Sequence, residues 1–308
     1  MSVLPLHYAP QGTTIARDGI VVVLFIRKSH VDLAPEAGAL FDAFEAYIGK
    51  DTLTHIVAAE QWKPLTTRRR TSARKRMSAA AATGLPNDFV LMKGPGSEYD
   101  LGEYAFHYIG NEIGGEGRED GASSIELWLP TELAAERGLE QFAEDVLELA
   151  SHVPFSSGYC SLAINYEASD LARVESSLTP ALAMRHPGFD LHNTANTQLQ
   201  IGDRVRGAYW LTLLGPVALQ ALKLDADGIC AALEEPEITV HELDYGVAIV
   251  AGDELRPGDV NQGDRLPLTR KVAALLEPVT HFPTWGAIGF RTDDPMTRFL
   301  EWLRRHLD

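Results

Sequence analysis

The residues best suited to chemistry lie in one short segment in the last quarter of the chain. Residues 253–264, DELRPGDVNQGD, place three aspartates and one glutamate among glycines. Carboxylates in such a loop are the ligands that Ca²⁺ prefers in proteins. The alternating acids and terminal glutamate of an EF-hand loop are missing, so the sequence favours a solvated acidic loop over a metal site.

A second candidate carboxylate, Glu126, lies within a predicted strand. A nuclease of the restriction type needs carboxylates with a lysine close by at a strand end, where a metal ion activates water. No Glu/Asp-x-Lys motif accompanies Glu126. The sequence therefore gives only a weak indication of a nuclease site.

The remaining catalytic motifs are absent. The glycines at 94–96 lack the third glycine of a phosphate-binding loop, and no Gly-x-Ser-x-Gly or His-Glu-x-x-His occurs. His186 and His192 bracket a loop without a third ligand. We predict no catalytic residues, no metal and no cofactor, hence a protein that is not an enzyme. A metal-dependent hydrolase using the acidic carboxyl-terminal half is the alternative.

Charge is distributed unevenly along the chain. The sequence holds 43 acidic and 27 basic residues, for a net charge of -16. Residues 225–264 carry eleven acids against one base, Arg256. A negative field repels nucleic acid and anionic membranes and accelerates encounter with basic partners.

Two interpretations of the acidic segment stay open. It is either an edge that only keeps the protein soluble, or a surface that offers carboxylates where a nucleic-acid enzyme expects phosphates. On the second interpretation we predict eight partner-binding residues. They are Glu234, Glu235, Glu237, Glu242, Asp244, Asp253, Glu254 and Asp259.

Residues 61–87 have the opposite character, with seven bases and no acid. Six of the bases are arginines or lysines between Arg68 and Arg76, and Lys63 is the seventh. A nucleic-acid patch is one hypothesis, but Trp62 is the segment's only aromatic residue for base stacking. We favour an exposed helix or mobile insertion whose charge pairs with the acidic remainder of the chain.

These segments must be positioned by an α+β fold. Apolar β-branched runs predict strands, and apolar residues at helical spacing predict helices. The predicted strands cover residues 19–28, 103–110, 123–129, 157–166, 206–214, 238–244 and 246–252. The predicted helices cover residues 34–48, 139–150, 216–222, 227–233, 267–276 and 295–307.

The order of elements suggests mixed or antiparallel sheets with helices packed on one face. We interpret it as a β-α-β-β-α arrangement that occurs twice, a pseudo-duplication by topology alone. The predicted halves are residues 1–168, containing the Arg-rich insert 61–87, and residues 198–308. Residues 169–197 connect them, and the whole is expected to form one compact unit.

Cys160 and Cys230, the two cysteines, lie far apart in sequence and do not form a disulfide framework. The first residues lack the pattern of a secretion signal, and residues 20–26 are too short an apolar run to span a bilayer. We expect a cytoplasmic protein.

Several strings in the second half resemble one family. They are SGYCSLA at 157–163, RHPGFD at 185–190, VRGAYWLTLLGP at 205–216 and GVAIVAGDELRPGD at 246–259. In this order they are similar to the TsiV-like immunity proteins of type VI secretion, which are associated with toxins bearing a VRR-NUC nuclease domain. Residues 21–26 and 266–278 also fit, so the resemblance spans roughly residues 18–280 with gaps.

The resemblance implies a cytoplasmic protein that binds and neutralises a cognate secreted toxin by occluding its active or binding surface. It implies no cofactor, no catalytic residues and no transferable site. We expect the partner to be a basic nuclease-type effector, and we expect no binding to nucleic acid or to membranes. The oligomeric state stays open. The Arg-rich stretch 63–76 departs from the family pattern and speaks against an interface held by acids alone.

Overall fold

The computed structural model describes residues 7–8, 16–78, 88–97, 100–115, 118–166, 182–191, 193–287, 290 and 292–308. In chain order the strands are β1 (His7–Tyr8), β2 (Ala16–Ile26), β3 (His55–Ala58), β4 (Gln61–Pro64), β5 (Asp88–Gly94), β6 (Tyr104–Gly110), β7 (Ser123–Leu129), β8 (Ser157–Tyr166), β9 (Phe189–Asp190), β10 (Leu211–Leu214), β11 (Ile238–Leu243) and β12 (Gly246–Ala251). The helices are α1 (His30–Ile48), α2 (Thr67–Arg76), α3 (Thr131–Arg137), α4 (Leu139–Ser151), α5 (Thr194–Thr197), α6 (Pro216–Leu222), α7 (Ala226–Leu233), α8 (Pro267–Leu276) and α9 (Pro295–Leu303).

All described strands belong to one sheet, which is antiparallel except where β9 runs parallel to β8. Its order is β11-β12-β10-β8-β2-β7-β6-β5-β3-β4, with β1 beside β2. The predicted α+β class with a mixed sheet is confirmed. The sheet runs without a break through both predicted halves, from β4 at one edge to β11 at the other.

The central strand is β2, which lies between β7 and β8 and is buried on both faces. Its apolar run explains this position, because only a strand covered on both sides stays apolar at every residue. Ile20, Val22 and Leu24 point to one face, and Val21 and Val23 to the other.

Helices cover opposite faces of the sheet in its two parts. In the first part α1 and α4 cover the face that carries Val22, and Phe41 of α1 meets Phe106 of β6 with ring centroids 4.9 Å apart. In the second part, α7 and α8 pack on Val247 and Ile249 of β12. Because Ala248 of β12 belongs to the first cluster, these helices lie on the other face.

Several elements differ from the predicted ones. The hairpin β3–β4 and strand β5 were not predicted, and β10 is shorter than the expected strand 206–214. The expected helix 295–307 ends at Leu303, and Trp302 and Leu303 are buried in the core. The predicted connection 169–197 contains β9 and α5, and its residues 169–181 and 192 lie outside the described residues.

Candidate functional site

A buried polar network holds the loop around β9 against β8 and the approach to β10. Asp190 accepts hydrogen bonds from the hydroxyls of Tyr159 at 2.8 Å and Tyr209 at 3.0 Å. Arg206 Nη1 lies 3.3 Å from the same carboxylate and donates to the Tyr159 hydroxyl at 2.9 Å. The two tyrosine rings stack with centroids 4.0 Å apart.

The charges of this network are fixed by its burial and its pairing. Burial raises the pKa of Tyr159 and of Tyr209, so both hydroxyls stay protonated and donate. Burial alone lowers the pKa of Arg206, but the Asp190 carboxylate together with Tyr159 and Tyr209 outweighs it, and the pKa of Arg206 is raised. The network therefore holds these segments rigidly together. One of its members, Tyr209, also lines a cleft.

That cleft, which we call the C-terminal cleft, has a volume of about 270 Å³. It is formed by the loop after β12, the first turn of α8 and the residues that follow α9. Its lining includes three acids, Glu237, Asp253 and Glu254, and two residues from the chain's end, Arg305 and His306. Sequence reasoning identified the acids but missed the last two, which carry no motif and follow the end of α9.

The register of the β11–β12 hairpin explains why Glu237 and Asp253 both line the cleft. Ile238 of β11 pairs with Ala251 of β12, so the residues just outside this pair, Glu237 and the stretch after Ala251, lie at the same end of the hairpin. Both Glu237 and Asp253 are exposed, and neither has an ion-pair partner among the described residues. Glu254 is 3.2 Å from Arg256, which also binds Asp264.

The other predicted partner-binding residues are placed elsewhere. Glu242 and Asp244 are exposed at the turn end of the hairpin, away from the cleft. Glu234 is exposed at the end of α7, with φ 47° in the left-handed region. These three have no ion pair in the described part of the chain.

Two of the eight predicted acids are partly buried and already paired. Glu235 lies 3.1 Å from Lys271 of α8. Asp259 accepts a bidentate hydrogen bond from the guanidinium of Arg185, with a shortest distance of 2.7 Å. This hydrogen bond holds the pKa of Asp259 below its usual range. Asp259 therefore braces the acidic loop, and Glu237, Asp253 and Glu254 are the subset that converges on the cleft.

Glu126 lies in a second cleft, of about 480 Å³, on the face of the sheet opposite α1. It accepts from Trp128 Nε1 at 3.3 Å and lies 3.7 Å from His107. Lys93 lines the same cleft, where its Nζ donates to the Asp100 carbonyl at 2.6 Å and sits 4.4 Å over the Trp62 ring. Within the described residues, no three His, Cys, Asp or Glu side chains converge as metal ligands do.

The Arg-rich segment forms helix α2, which is attached to α1 by ion pairs. Arg70 and Arg74 both bind Glu45, which is 2% exposed, and Arg74 also binds Asp42. Burial lowers the pKa of Arg70, with a smaller contribution from Arg74. Pairing with acids of the same chain, as expected, accounts for these two arginines. Residues 79–87 of the predicted insert lie outside the described residues.

Among the described residues no helix is long and apolar enough to cross a membrane. The sequence profile of a family described as TsiV, type VI immunity for VRR-NUC, matches residues 38–306. A search of curated proteins finds no match. Among solved structures, a T6SS protein of Pseudomonas aeruginosa superposes with a TM-score of 0.81 at 22% identity, covering 98% of this chain and 87% of that one. At this identity the structural likeness concerns the fold alone.

Proposed function

The chain belongs to the TsiV family of type VI immunity proteins, and from that premise we propose that it neutralises a VRR-NUC-type nuclease toxin by binding it. The match over residues 38–306 is the observation that carries this proposal. Binding occludes the active or substrate-binding surface of the toxin, and it takes place in the cytoplasm, where a DNA-cleaving toxin would act. No catalysis by the immunity protein is required.

The exposed acids support a basic toxin surface as the partner. A nuclease must present positive charge to the phosphates of its substrate. Glu237 and Asp253 are exposed and have no ion pair within the described residues, so their charge is available to a partner. Complementary charge raises the association rate, which matters when a few toxin molecules are lethal.

Paired acids are less available for such a role. Asp259 and Glu235 already bind Arg185 and Lys271. Glu254 likewise contacts Arg256. We therefore narrow the proposed toxin-facing acids to the five without an ion pair in the described part of the chain, which are Glu234, Glu237, Glu242, Asp244 and Asp253.

The test is a binding and protection experiment with the nuclease toxin encoded by the neighbouring gene. We expect a stable one-to-one complex by size-exclusion chromatography with light scattering. Cells that express the toxin's nuclease domain should survive only with this protein present, and the purified complex should not cleave DNA. A toxin that neither binds the protein nor loses its nuclease activity in its presence contradicts the proposal.

A further inference from the structure

We propose that the toxin adds a strand to the open edge of β11, and that lysine or arginine side chains of this strand meet Glu237 and Glu242. This inference rests on the proposed function and adds how the partner is held. Main-chain hydrogen bonds along the edge supply affinity, and the charge beside the edge selects the sequence that can bind.

The register of the β11–β12 hairpin determines which backbone groups of β11 face outward. Leu243 and Gly246 flank the turn and exchange both of their backbone hydrogen bonds, and such pairs alternate along an antiparallel ladder. His241 therefore bonds to β12 in the same way. The N–H and C=O of Val240 and Glu242, which lie between these pairs, point away from β12.

These outward groups are available to a partner. No described residue forms a hydrogen bond with them, and β11 is the last strand of the sheet as far as the structure describes it. Thr239 and Glu242 are exposed, so solvent reaches the edge. A row of unpaired N–H and C=O groups on an exposed strand is a template for pairing with another chain.

The edge is held in a strand conformation before a partner arrives. Each residue from Ile238 to Leu243 is paired with a residue of β12. Ile238 is buried in the same apolar cluster as Ile249 of β12, under helices α7 and α8. A preformed edge costs less free energy to order on binding than a flexible segment does, which favours a tight complex.

The acids along this edge select a basic strand. Glu237 immediately precedes β11, Glu242 lies on it and Asp244 follows it, and all three are exposed without an ion pair among the described residues. Directly opposite side chains of neighbouring strands lie about 4.5–5.5 Å apart, so opposite charges attract there and like charges repel. A second copy of β11 would bring its own acids to the edge, whereas a basic strand neutralises the acids already present.

The strand also indicates the pattern of the toxin segment. The side chains of Val240 and Glu242 point to the same side of the sheet, because side chains alternate along a strand. Val240 packs against the apolar cluster under α7 and α8. A fitting segment therefore carries an apolar residue beside Val240 and a lysine or arginine two residues away beside Glu242. A second basic residue fits near Glu237, at the other end of the edge.

The first experiment measures amide hydrogen exchange of the ¹⁵N-labelled protein by NMR, alone and with the nuclease domain of the toxin encoded by the neighbouring gene. We expect the amides of Val240 and Glu242 to exchange at least about tenfold more slowly in the complex, because they become hydrogen-bonded. The amides of His241 and Leu243 already bond to β12 and should change little, so the new protection alternates along the strand. Unchanged exchange at Val240 and Glu242 overturns the inference. Protection that appears when the concentration of the protein alone is raised also overturns it, since a second copy is then the occupant.

The second experiment removes one outward N–H. Val240→Pro deletes this donor without breaking a bond to β12, since proline is tolerated where the N–H of an edge strand faces solvent. The matched variant is Val240→Ala, which shortens the same side chain but keeps the N–H. We expect surface plasmon resonance on the immobilised nuclease domain to show at least about tenfold weaker binding for Val240→Pro than for Val240→Ala, because a backbone acceptor of the toxin is left unpaired.

Equal affinities of the two folded variants overturn the inference. Circular dichroism shows whether both variants are folded, and the exchange experiment on the wild-type protein decides the question if Val240→Pro is not.

The same exchange measurement on the labelled nuclease domain identifies the bound segment. We expect alternate amides of one segment to become protected, and that segment to contain lysine or arginine. A protected segment without either residue overturns the assignment of a basic strand. Failure of the wild-type protein to bind the nuclease domain contradicts the proposed function instead, so the two failures are distinguishable.

Discussion

Helix α2 is rich in basic residues and the segment 225–264, which contains the β11–β12 hairpin, is rich in acids, and the two regions use their charge in opposite ways. The arginines of α2 that face α1 are matched by acids of the same chain, with Glu45 between Arg70 and Arg74. In the acidic segment, Glu237, Glu242 and Asp253 are exposed and have no ion-pair partner in the described part of the chain. Charge density along a sequence therefore does not reveal which charges are available, whereas pairing in the fold does.

The comparison leads to a rule that can be tested. Charges that are paired and buried should affect the free energy of unfolding when they are changed. Charges that are exposed and unpaired should leave stability nearly unchanged and affect association with the toxin. The following experiments challenge this division, beginning with the largest expected effect.

The strongest test on the paired side is Arg206→Leu. The substitution leaves the fully buried Asp190 carboxylate without its cation, and we expect a loss of about 3–5 kcal/mol in the free energy of unfolding. Urea unfolding followed by circular dichroism measures it. The double variant Asp190→Asn with Arg206→Met is the control, since it removes both charges and should recover part of the loss. A loss below about 1 kcal/mol in Arg206→Leu would contradict a bracing role.

On the unpaired side, reversing the charge of Glu234, Glu237 and Asp253 to lysine should slow association with the toxin by about 10–100-fold at low salt. The effect should shrink as salt rises, because screening weakens the field. Stopped-flow mixing at several salt concentrations measures the rate. Unchanged association and unchanged protection would show that the acidic surface does not guide the toxin, even if the protein confers immunity.

A smaller stability effect is expected at Glu45. Glu45→Gln keeps the shape of the side chain but removes the charge that Arg70 and Arg74 share, at a cost of about 1–3 kcal/mol. The matched control is Glu242→Gln, which changes an exposed carboxylate and should stay within about 0.5 kcal/mol of the wild type. If chemical unfolding showed the same loss of unfolding free energy for both variants, it would contradict the distinction between paired and unpaired charges.

The last prediction concerns pH. Burial, with Arg204 and Arg206 nearby, lowers the pKa of His281 to about 4. The unfolded chain takes up this proton near the ordinary pKa of 6.5 while the folded protein does not, so the contribution of His281 to stability is full above pH 6.5 and is lost as the pH falls toward 4. The slope is at most about 1.4 kcal/mol per pH unit.

Thermal unfolding between pH 4 and 7 checks this dependence. His281→Leu should flatten the pH slope, while the control His241→Gln, in strand β11, should leave it unchanged. An unaltered slope in His281→Leu would show that His281 is not the group responsible.

Much of the fold could be predicted because its signals are local. The apolar run of β2, the helical spacing in α4 and the tight turn between β11 and β12 each identify an element from neighbouring residues. Strands β3 (HIVA) and β4 (QWKP) were not predicted because each is only four residues long and mixes polar with apolar residues. Strand β10 begins at Leu211 and not at Arg206, after an irregular stretch that contains Gly207 with a φ of 152°.

The candidate site was predictable only in part. The acids were visible as a dense run, but which of them converge depends on the hairpin register and on the pairing of Asp259 with Arg185. His306 and the Asp190 network depend on contacts between distant segments, and no local pattern in the chain reports them. A single sequence thus gives the charge of the surface but not its geometry.

Strand β11 lies at the edge of the sheet, and this position bears on whether the protein aggregates or stays dispersed. In the described part of the chain β11 pairs only with β12, so its outer backbone groups form an open edge of the kind that templates aggregation. Glu237, Glu242 and Asp244 flank that edge, and charged side chains at a sheet edge oppose the addition of a strand from another copy of the chain. An immunity protein has to remain dispersed until its toxin arrives. Light scattering on heating, measured for a variant in which these three acids are neutralised, would show how far the acids prevent aggregation.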